Sequence, residues 1–297
     1  MSNASDKMRR EWAEGDAARD AGQTTPEDIV RYDNIQYSAD PEWNILDVYK
    51  RKDAEEKTPV IIIVHGGGWV YGTKEIYQFY GMGLAQRGFA VISYTYRLAP
   101  EVKYPASLED TNAVIEWMYE NKEKYGFDTE HVFMVGDSAG AHLLGLYSAI
   151  CTDVSYAAHY DFKVPNQFVP SAIGMNCGAY KLFNVDGSLA NGAVDGELME
   201  DFLPEGGSPR EVALINVVDH VNANFPPAFI MTAHGDFLMN QAPLLEAEYK
   251  KVGVSYKSKV YGTQEKPLYH VFHVTMQEPA AKICNDEECD FFRNYIK

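Results

Sequence analysis

Residues 60–64 are all valine or isoleucine, and this run constrains the fold more than any other segment. A continuous β-branched run is typical of a strand buried on both faces of a parallel sheet. Stretches of similar character follow at residues 89–94, 132–135, 172–175, 228–232 and 255–260. Because helix-forming stretches lie between them, we expect an α/β fold with helices on both faces of a mostly parallel sheet.

Three regions lie outside this alternation. A hairpin is predicted within residues 34–49, where two strand-like stretches flank a turn signal. Residues 1–29 are polar and acidic, and their pattern fits either a helical arm or a disordered leader. Residues 180–224 form a long glycine-rich interruption between two strands, which is typical of a lid. We therefore expect an N-terminal arm at 1–29 and a domain at 30–297 with a cap insertion at about 180–224.

A candidate nucleophile is Ser138, in the sequence Gly136-Asp137-Ser138-Ala139-Gly140. This Gly-x-Ser-x-Gly pattern follows the predicted strand 132–135 and begins a predicted helix at 139–150. A serine on such a sharp turn needs small neighbours, because the strained backbone brings the flanking positions against adjacent structure. The helix N-terminus also favours negative charge that develops beside Ser138.

A candidate oxyanion hole is His65-Gly66-Gly67-Gly68-Trp69, which directly follows the predicted strand 60–64. Consecutive glycines leave backbone N–H groups unscreened, as binding of an oxyanion requires. A dinucleotide-binding loop is disfavoured, because Tyr71 stands where that motif needs a glycine. We interpret His65 as organising the loop, since it precedes the nucleophile and lies at a strand end.

Candidates for an acid and a base follow later in the chain. Asp236 comes after the predicted strand 228–232, at the strand end where open α/β sheets place their sites. Two histidines downstream, His270 and His273, both qualify as the base. We favour His270, because an imidazole in a loop near the edge of the sheet can reach Ser138. The order serine, aspartate, histidine is that of the α/β-hydrolases.

Together these motifs resemble the hormone-sensitive-lipase-like branch of the α/β-hydrolases, bacterial carboxylesterases with an HGGG loop. Thr95-Tyr96-Arg97-Leu98-Ala99-Pro100-Glu101 is similar to that family's DYRLAPE, and residues 104–110 are similar to its FPAALED. Thr95 and Ala141 depart from the usual Asp and Gly. The resemblance runs from about residue 34 to the C-terminus and is broken by residues 180–224. It implies an α/β-hydrolase fold, with a mostly parallel sheet of about eight strands flanked by helices and a small cap.

The resemblance also assigns roles to residues. It implies a catalytic triad of Ser138, Asp236 and His270. The oxyanion donors would be the N–H groups of Gly67, Gly68 and Ala139, while Tyr96, Arg97 and Glu101 would be structural. The cap would come from residues 1–29 together with the insertion at about 180–224.

The predicted function is hydrolysis of small to medium carboxylic esters through an acyl-enzyme on Ser138. Two alternatives stay open. Formamidases carry a related HGG-x-W loop, so an amide or aryl formamide hydrolase with the same triad also fits. Hydrolase-like hormone receptors share the fold but have lost the catalytic histidine, so a non-catalytic ligand receptor is the alternative from another class.

Composition limits the partners. The formal charge is −17, with 43 acidic and 26 basic residues, which argues against nucleic acid or an anionic membrane as a partner. No membrane span, cofactor or metal is predicted.

The four cysteines lack a Cys-x-x-Cys pattern, which favours free thiols in a cytoplasmic protein. Residues 286–288 are expected on a solvated helix face. A homo-oligomer is one option for the quaternary state, on which the sequence is silent.

Overall fold

The computed structural model describes residues 1–190 and 194–296. Within them, eight strands form one sheet in the order β1-β2-β4-β3-β5-β6-β7-β8. The strands are β1 (Ile29–Gln36), β2 (Ile45–Arg51), β3 (Thr58–Val64), β4 (Ala90–Tyr94), β5 (Phe127–Asp137), β6 (Ala172–Asn176), β7 (Ala228–Ala233) and β8 (Tyr256–Tyr261). The pairs β1–β2 and β2–β4 are antiparallel, and the other neighbouring strands are parallel. The prediction of a mostly parallel sheet of about eight strands is therefore confirmed.

Helices cover both faces of this sheet. They are α1 (Asn3–Asp20), α2 (Gln78–Gln86), α3 (Ala106–Glu120), α4 (Lys122–Tyr125), α5 (Ala139–Thr152), α6 (Val154–Ala157), α7 (Gly196–Phe202), α8 (Pro209–Ile215), α9 (Ala242–Val252) and α10 (Pro279–Arg293). Strand β3 shows why a strand at the centre contains only apolar residues. Val60 and Ile62 point into the core that includes α3, α5 and α9, whereas Ile61 and Ile63 point into the core that includes α2 and α10.

Residues 1–29, for which the sequence left a helix or a disordered leader open, begin with the 18-residue helix α1. Its first turn is attached to the 180–224 segment. The N–H of Ser2 and the hydroxyl of Ser5 both donate to Asp201 Oδ2, at 2.8 and 2.6 Å. Asp201 belongs to α7, so α1 packs against the glycine-rich insertion. Residues 191–193 of that insertion lie outside the described residues.

The rest of α1 is held by the main part of the fold. Arg9 forms an ion pair with Glu101 at 2.7 Å and donates to the carbonyls of Val70 and Ala99. Arg19 donates to the carbonyl of Ile76 at 2.6 Å. These contacts fix α1 between the insertion and the segment that follows β3. Of the helices described in residues 1–190 and 194–296, none has the length and hydrophobicity needed to cross a bilayer.

Candidate active site

Ser138 occupies a strained turn between β5 and α5. Its backbone angles, φ 53° and ψ −119°, define a conformation that a residue with a side chain rarely adopts. The turn requires glycine on both sides, because a Cβ at Gly136 would lie 2.6 Å from the carbonyl oxygen of Gly140. A Cβ at Gly140 would lie 2.0 Å from the carbonyl oxygen of Val64. This geometry places Ser138 at the carboxyl end of β5, directly before the N-terminus of α5.

Asp236 and His270 form a hydrogen-bonded pair after β7 and β8. His270 Nδ1 lies 2.7 Å from Asp236 Oδ1, which is consistent with an Nδ1–H that donates to the carboxylate. The carboxylate also accepts from the N–H of Leu238 at 2.9 Å and from the Thr232 hydroxyl at 2.7 Å. Burial acts to raise the pKa of Asp236, but these hydrogen bonds and His270 together hold it below its usual value. Asp236 is thus kept ionised beside the imidazole.

Ser138 and His270 line the same cavity of about 320 Å³. Neither the Ser138 hydroxyl nor His270 Nε2 has a hydrogen-bond partner among the described residues. In enzymes without substrate, contacts between nucleophile and base are often long and tighten on binding. The structure therefore brings the predicted nucleophile and the Asp236–His270 pair to one cavity, with the reactive atoms unpaired.

The glycine loop after β3 presents free backbone donors to this site. Gly67 has a φ of 120°, and a Cβ there would lie 1.9 Å from the carbonyl oxygen of Tyr71. Gly68 has a φ of 58°. None of the hydrogen bonds between described residues uses the N–H of Gly67, Gly68 or Ala139. Three donors at the predicted positions are thus available to an anionic oxygen.

His65 supports the loop from behind. Its ring stacks on that of Tyr96 with centroids 3.9 Å apart, and the Tyr96 hydroxyl donates to the His65 carbonyl at 2.9 Å. Complete burial lowers the pKa of His65 to about 4, so the ring is neutral at physiological pH. These contacts agree with the interpretation of His65 as a residue that organises the loop.

Tyr77 connects this loop to the turn at Ser138, a role that no motif in the sequence indicates. Its hydroxyl accepts the N–H of Gly66 at 2.9 Å and donates to Asp137 Oδ2 at 2.7 Å. Burial raises the pKa of Asp137 to about 6. Since Tyr77 precedes a helix and belongs to no motif, the sequence contains no local signal for this contact.

A buried carboxyl group lies beneath Ser138. Glu288 on α10 is 1% exposed, so the expectation that residues 286–288 lie on a solvated face is wrong for this residue. It accepts from Asn176 Nδ2 at 2.8 Å and from the Tyr80 hydroxyl at 3.0 Å. The carbonyl of Asn176 in turn accepts the N–H of Ser138 at 2.9 Å. Burial raises the pKa of Glu288 to about 7.

His273, the other candidate base, lies in this buried region. It is 1% exposed, and both of its ring nitrogens have no hydrogen-bond partner among the described residues. Its ring meets that of Tyr80 edge to face, with centroids 5.2 Å apart. Burial lowers its pKa to about 3. His270, and not His273, is therefore the imidazole bonded to Asp236.

Among the described residues, Cys177, Asp236 and His270 are the one group of three whose ligand atoms lie within 4.8 Å of one another. Burial, and then Asp236, raises the pKa of the Cys177 thiol well above its usual value, and a protonated thiol is a poor ligand. The Nδ1 atom of His270 is already bonded to Asp236. The arrangement suits a hydrogen-bonded pair better than a metal site.

Helix α1 supplies a wall of the cavity. Glu11, Trp12, Gly15, Asp16 and Arg19 all line it. Their spacing of three or four residues places them on one helix face. Because most of them are charged, α1 has no apolar stripe that would have located this wall from the sequence.

Known proteins resemble this chain in sequence and in fold. The BD-FAE family matches residues 46–248. Esterase LipC of Mycobacterium tuberculosis is 36% identical over 42% of this chain and 31% of its own length. Versiconal hemiacetal acetate esterase of Dothistroma septosporum is 28% identical over 80% of this chain and 73% of its own length.

The crystal structure of an inhibited esterase B from Lactobacillus rhamnosis superposes with a TM-score of 0.86. The two sequences are 26% identical, and the superposition covers 97% of this chain and 95% of the esterase B chain. This similarity confirms the predicted α/β-hydrolase fold. Together with the esterases above, it also confirms that the chain is a carboxylic ester hydrolase. Within that class, the chain belongs to the BD-FAE family.

Proposed function

We propose that the protein hydrolyses carboxylic esters through a triad of Ser138, His270 and Asp236. The observation that carries this proposal is the 2.7 Å contact between His270 and Asp236, at the cavity that Ser138 also lines. An ionised Asp236 holds the imidazole in the tautomer with a free Nε2, which is the form that accepts a proton from serine. The strained turn exposes the serine to the same cavity.

The reaction follows from these positions. His270 Nε2 takes the proton of the Ser138 hydroxyl as the oxygen attacks the ester carbonyl. The N–H groups of Gly67, Gly68 and Ala139 stabilise the oxyanion of the tetrahedral intermediate. The intermediate collapses to an acyl-enzyme, and His270 protonates the leaving alcohol. Water then attacks the acyl group with the same histidine as base, which releases the acid and restores Ser138.

We also propose that α1 and the segment at about 180–224 form a cap over this site. Met8 of α1 and Leu198 of α7 both lie against the glycine loop. A Cβ placed on Gly68 would be 2.7 Å from Met8 Sδ and 3.5 Å from Leu198 Cδ2. Space on this side of the loop is therefore small, which supports a preference for short acyl chains.

Initial rates on p-nitrophenyl esters from acetate to laurate, with one aryl formamide included, test the proposal. We expect fast cleavage that is greatest for short chains, and almost none by Ser138→Ala. Ser155→Ala, on the exposed surface of α6, is the matched control and should retain the wild-type rate. Faster cleavage of the formamide than of every ester would move the assignment to amides. Full activity of folded Ser138→Ala would contradict the triad.

A further inference from the structure

The cavity at Ser138 has aromatic walls. Trp12, Tyr71, Tyr77 and Phe237 all line it. The rings of Trp12 and Tyr71 meet edge to face with centroids 6.0 Å apart, and Phe237 packs 4.2 Å from the ring of His270. The faces of aromatic rings carry negative charge and attract cations, most strongly where water is excluded. Walls of this kind suit a compact organic cation as well as an apolar group.

The charges that line the cavity decide between these two ligands. Glu11, Asp16 and Asp137 contribute carboxyl groups, and Arg19 is the only lysine or arginine among the described lining residues. Arg19 is shared by two carboxylates, because Nη1 lies 2.6 Å from Asp16 and Nε lies 2.7 Å from Asp20, so one negative charge of this group is not compensated. Glu11 also has a cation nearby, since Lys7 Nζ lies 3.9 Å away, but the carboxylates of Glu11, Asp16, Asp20 and Asp137 still outnumber Lys7 and Arg19, so the charge at the cavity is net negative.

For Asp16 and Asp137, burial makes the negative charge costly in the absence of a cation. The pKa of Asp16 is raised mainly by burial, against the opposing effect of Arg19. Burial raises the pKa of Asp137 to about 6. A positive ligand group in the cavity would lower the free energy of both carboxylates, whereas a negative group would raise it.

The cavity is placed to hold the alcohol half of an ester. His270 must protonate the leaving oxygen, so the alcohol lies beside the imidazole. His270, Phe237 and Val271 form this side of the cavity. On the side of Gly68, Met8 and Leu198 fill the space. Because Met8 and Leu198 restrict the side of Gly68, we assign the cavity beside His270 to the leaving group.

We propose that the site prefers esters of a short-chain acid with an alcohol that carries a quaternary ammonium group. The proposal rests on the ester hydrolysis proposed above and specifies its substrate class. The aromatic rings would contact the ammonium group, and Asp16 and Glu11 would supply the opposite charge.

The test compares two esters of equal shape. Butyrylcholine and 3,3-dimethylbutyl butyrate differ in the atom that carries the three methyl groups, nitrogen with a positive charge or neutral carbon. We expect kcat/KM to be on the order of tenfold higher for the cationic ester. A ratio of one or below in the wild type would overturn the inference, and cleavage of the neutral ester would leave the triad proposal standing. No cleavage of either ester or of p-nitrophenyl butyrate would contradict the triad proposal itself.

Variants locate the preference in the cavity. Asp16→Asn and Trp12→Leu should each lower the ratio between the two esters towards one. Glu14→Gln is the matched control, because Glu14 is an exposed acid of α1 that does not line the cavity. It should leave the ratio unchanged. An equal loss of preference in Glu14→Gln would show that the preference for the cationic ester comes from the overall charge of the protein, and it would overturn the proposed site.

Discussion

The substitution Glu288→Gln tests the environment beneath Ser138 through the stability of the protein. The pKa of Glu288 rises from an ordinary 4.5 to about 7 on burial. Between these values the folded protein binds more protons than the unfolded chain, so the free energy of unfolding falls as the pH rises. Each pKa unit is worth about 1.4 kcal/mol, which gives a loss on the order of 3 kcal/mol by pH 8.

Glutamine has the same shape and no charge, so the variant should lack this loss. Its oxygen can accept from Asn176 as Glu288 does, and its amide can donate to the oxygen of Tyr80 in a hydrogen bond of reversed direction. Urea unfolding followed by circular dichroism at pH 5 and pH 8 measures the difference. We expect the stability of the variant relative to wild type to increase with pH. Glu120→Gln, on the exposed surface of α3, controls for a general effect of lost charge. Parallel pH profiles for wild type and Glu288→Gln would refute the reasoning.

Three further substitutions test the site by steady-state kinetics. Gly67→Ala places a Cβ 1.9 Å from the Tyr71 carbonyl oxygen and so displaces an oxyanion donor. We expect kcat to fall about 10²–10³-fold. An unchanged kcat would exclude the Gly67 N–H as a donor. Asp236→Asn loses control of the His270 tautomer and should lower kcat on the order of 10⁴-fold, the effect known from chymotrypsin-type triads; a loss below tenfold would contradict that role. Met8→Ala opens the space beside the glycine loop, and the optimum along the p-nitrophenyl ester series should move to longer acyl chains. An unmoved optimum would show that Met8 does not limit the acyl chain.

The sequence predicted the sheet because its signals are local. The run at residues 60–64 contains only valine and isoleucine, since β3 lies at the centre of the sheet and is buried on both faces. The two glycines around Ser138 were also informative, because a side chain at either position would overlap a backbone carbonyl. Such requirements fall on the residue itself and leave a pattern in the sequence.

Other features depend on distant partners and left no such pattern. Glu288 is buried because Gly174 on β6 leaves room for it; a Cβ on that glycine would lie 2.1 Å from Glu288 Oε1. The wall that α1 adds to the cavity depends on its attachment to Asp201 and Glu101, far along the chain. Tyr77 likewise joins two motifs that are separate in sequence. In each case the contact is decided by tertiary packing.

Covalent capture of the nucleophile tests the central claim most directly. The wild-type protein and Ser138→Ala would each be incubated with diethyl p-nitrophenyl phosphate, which phosphorylates activated serines, and then analysed by intact and peptide mass spectrometry. We expect one diethylphosphoryl group on each wild-type molecule, located on Ser138, and none on the variant. A wild-type protein that stays unmodified, or a variant that is modified to the same extent, would contradict the assignment of Ser138 as the nucleophile.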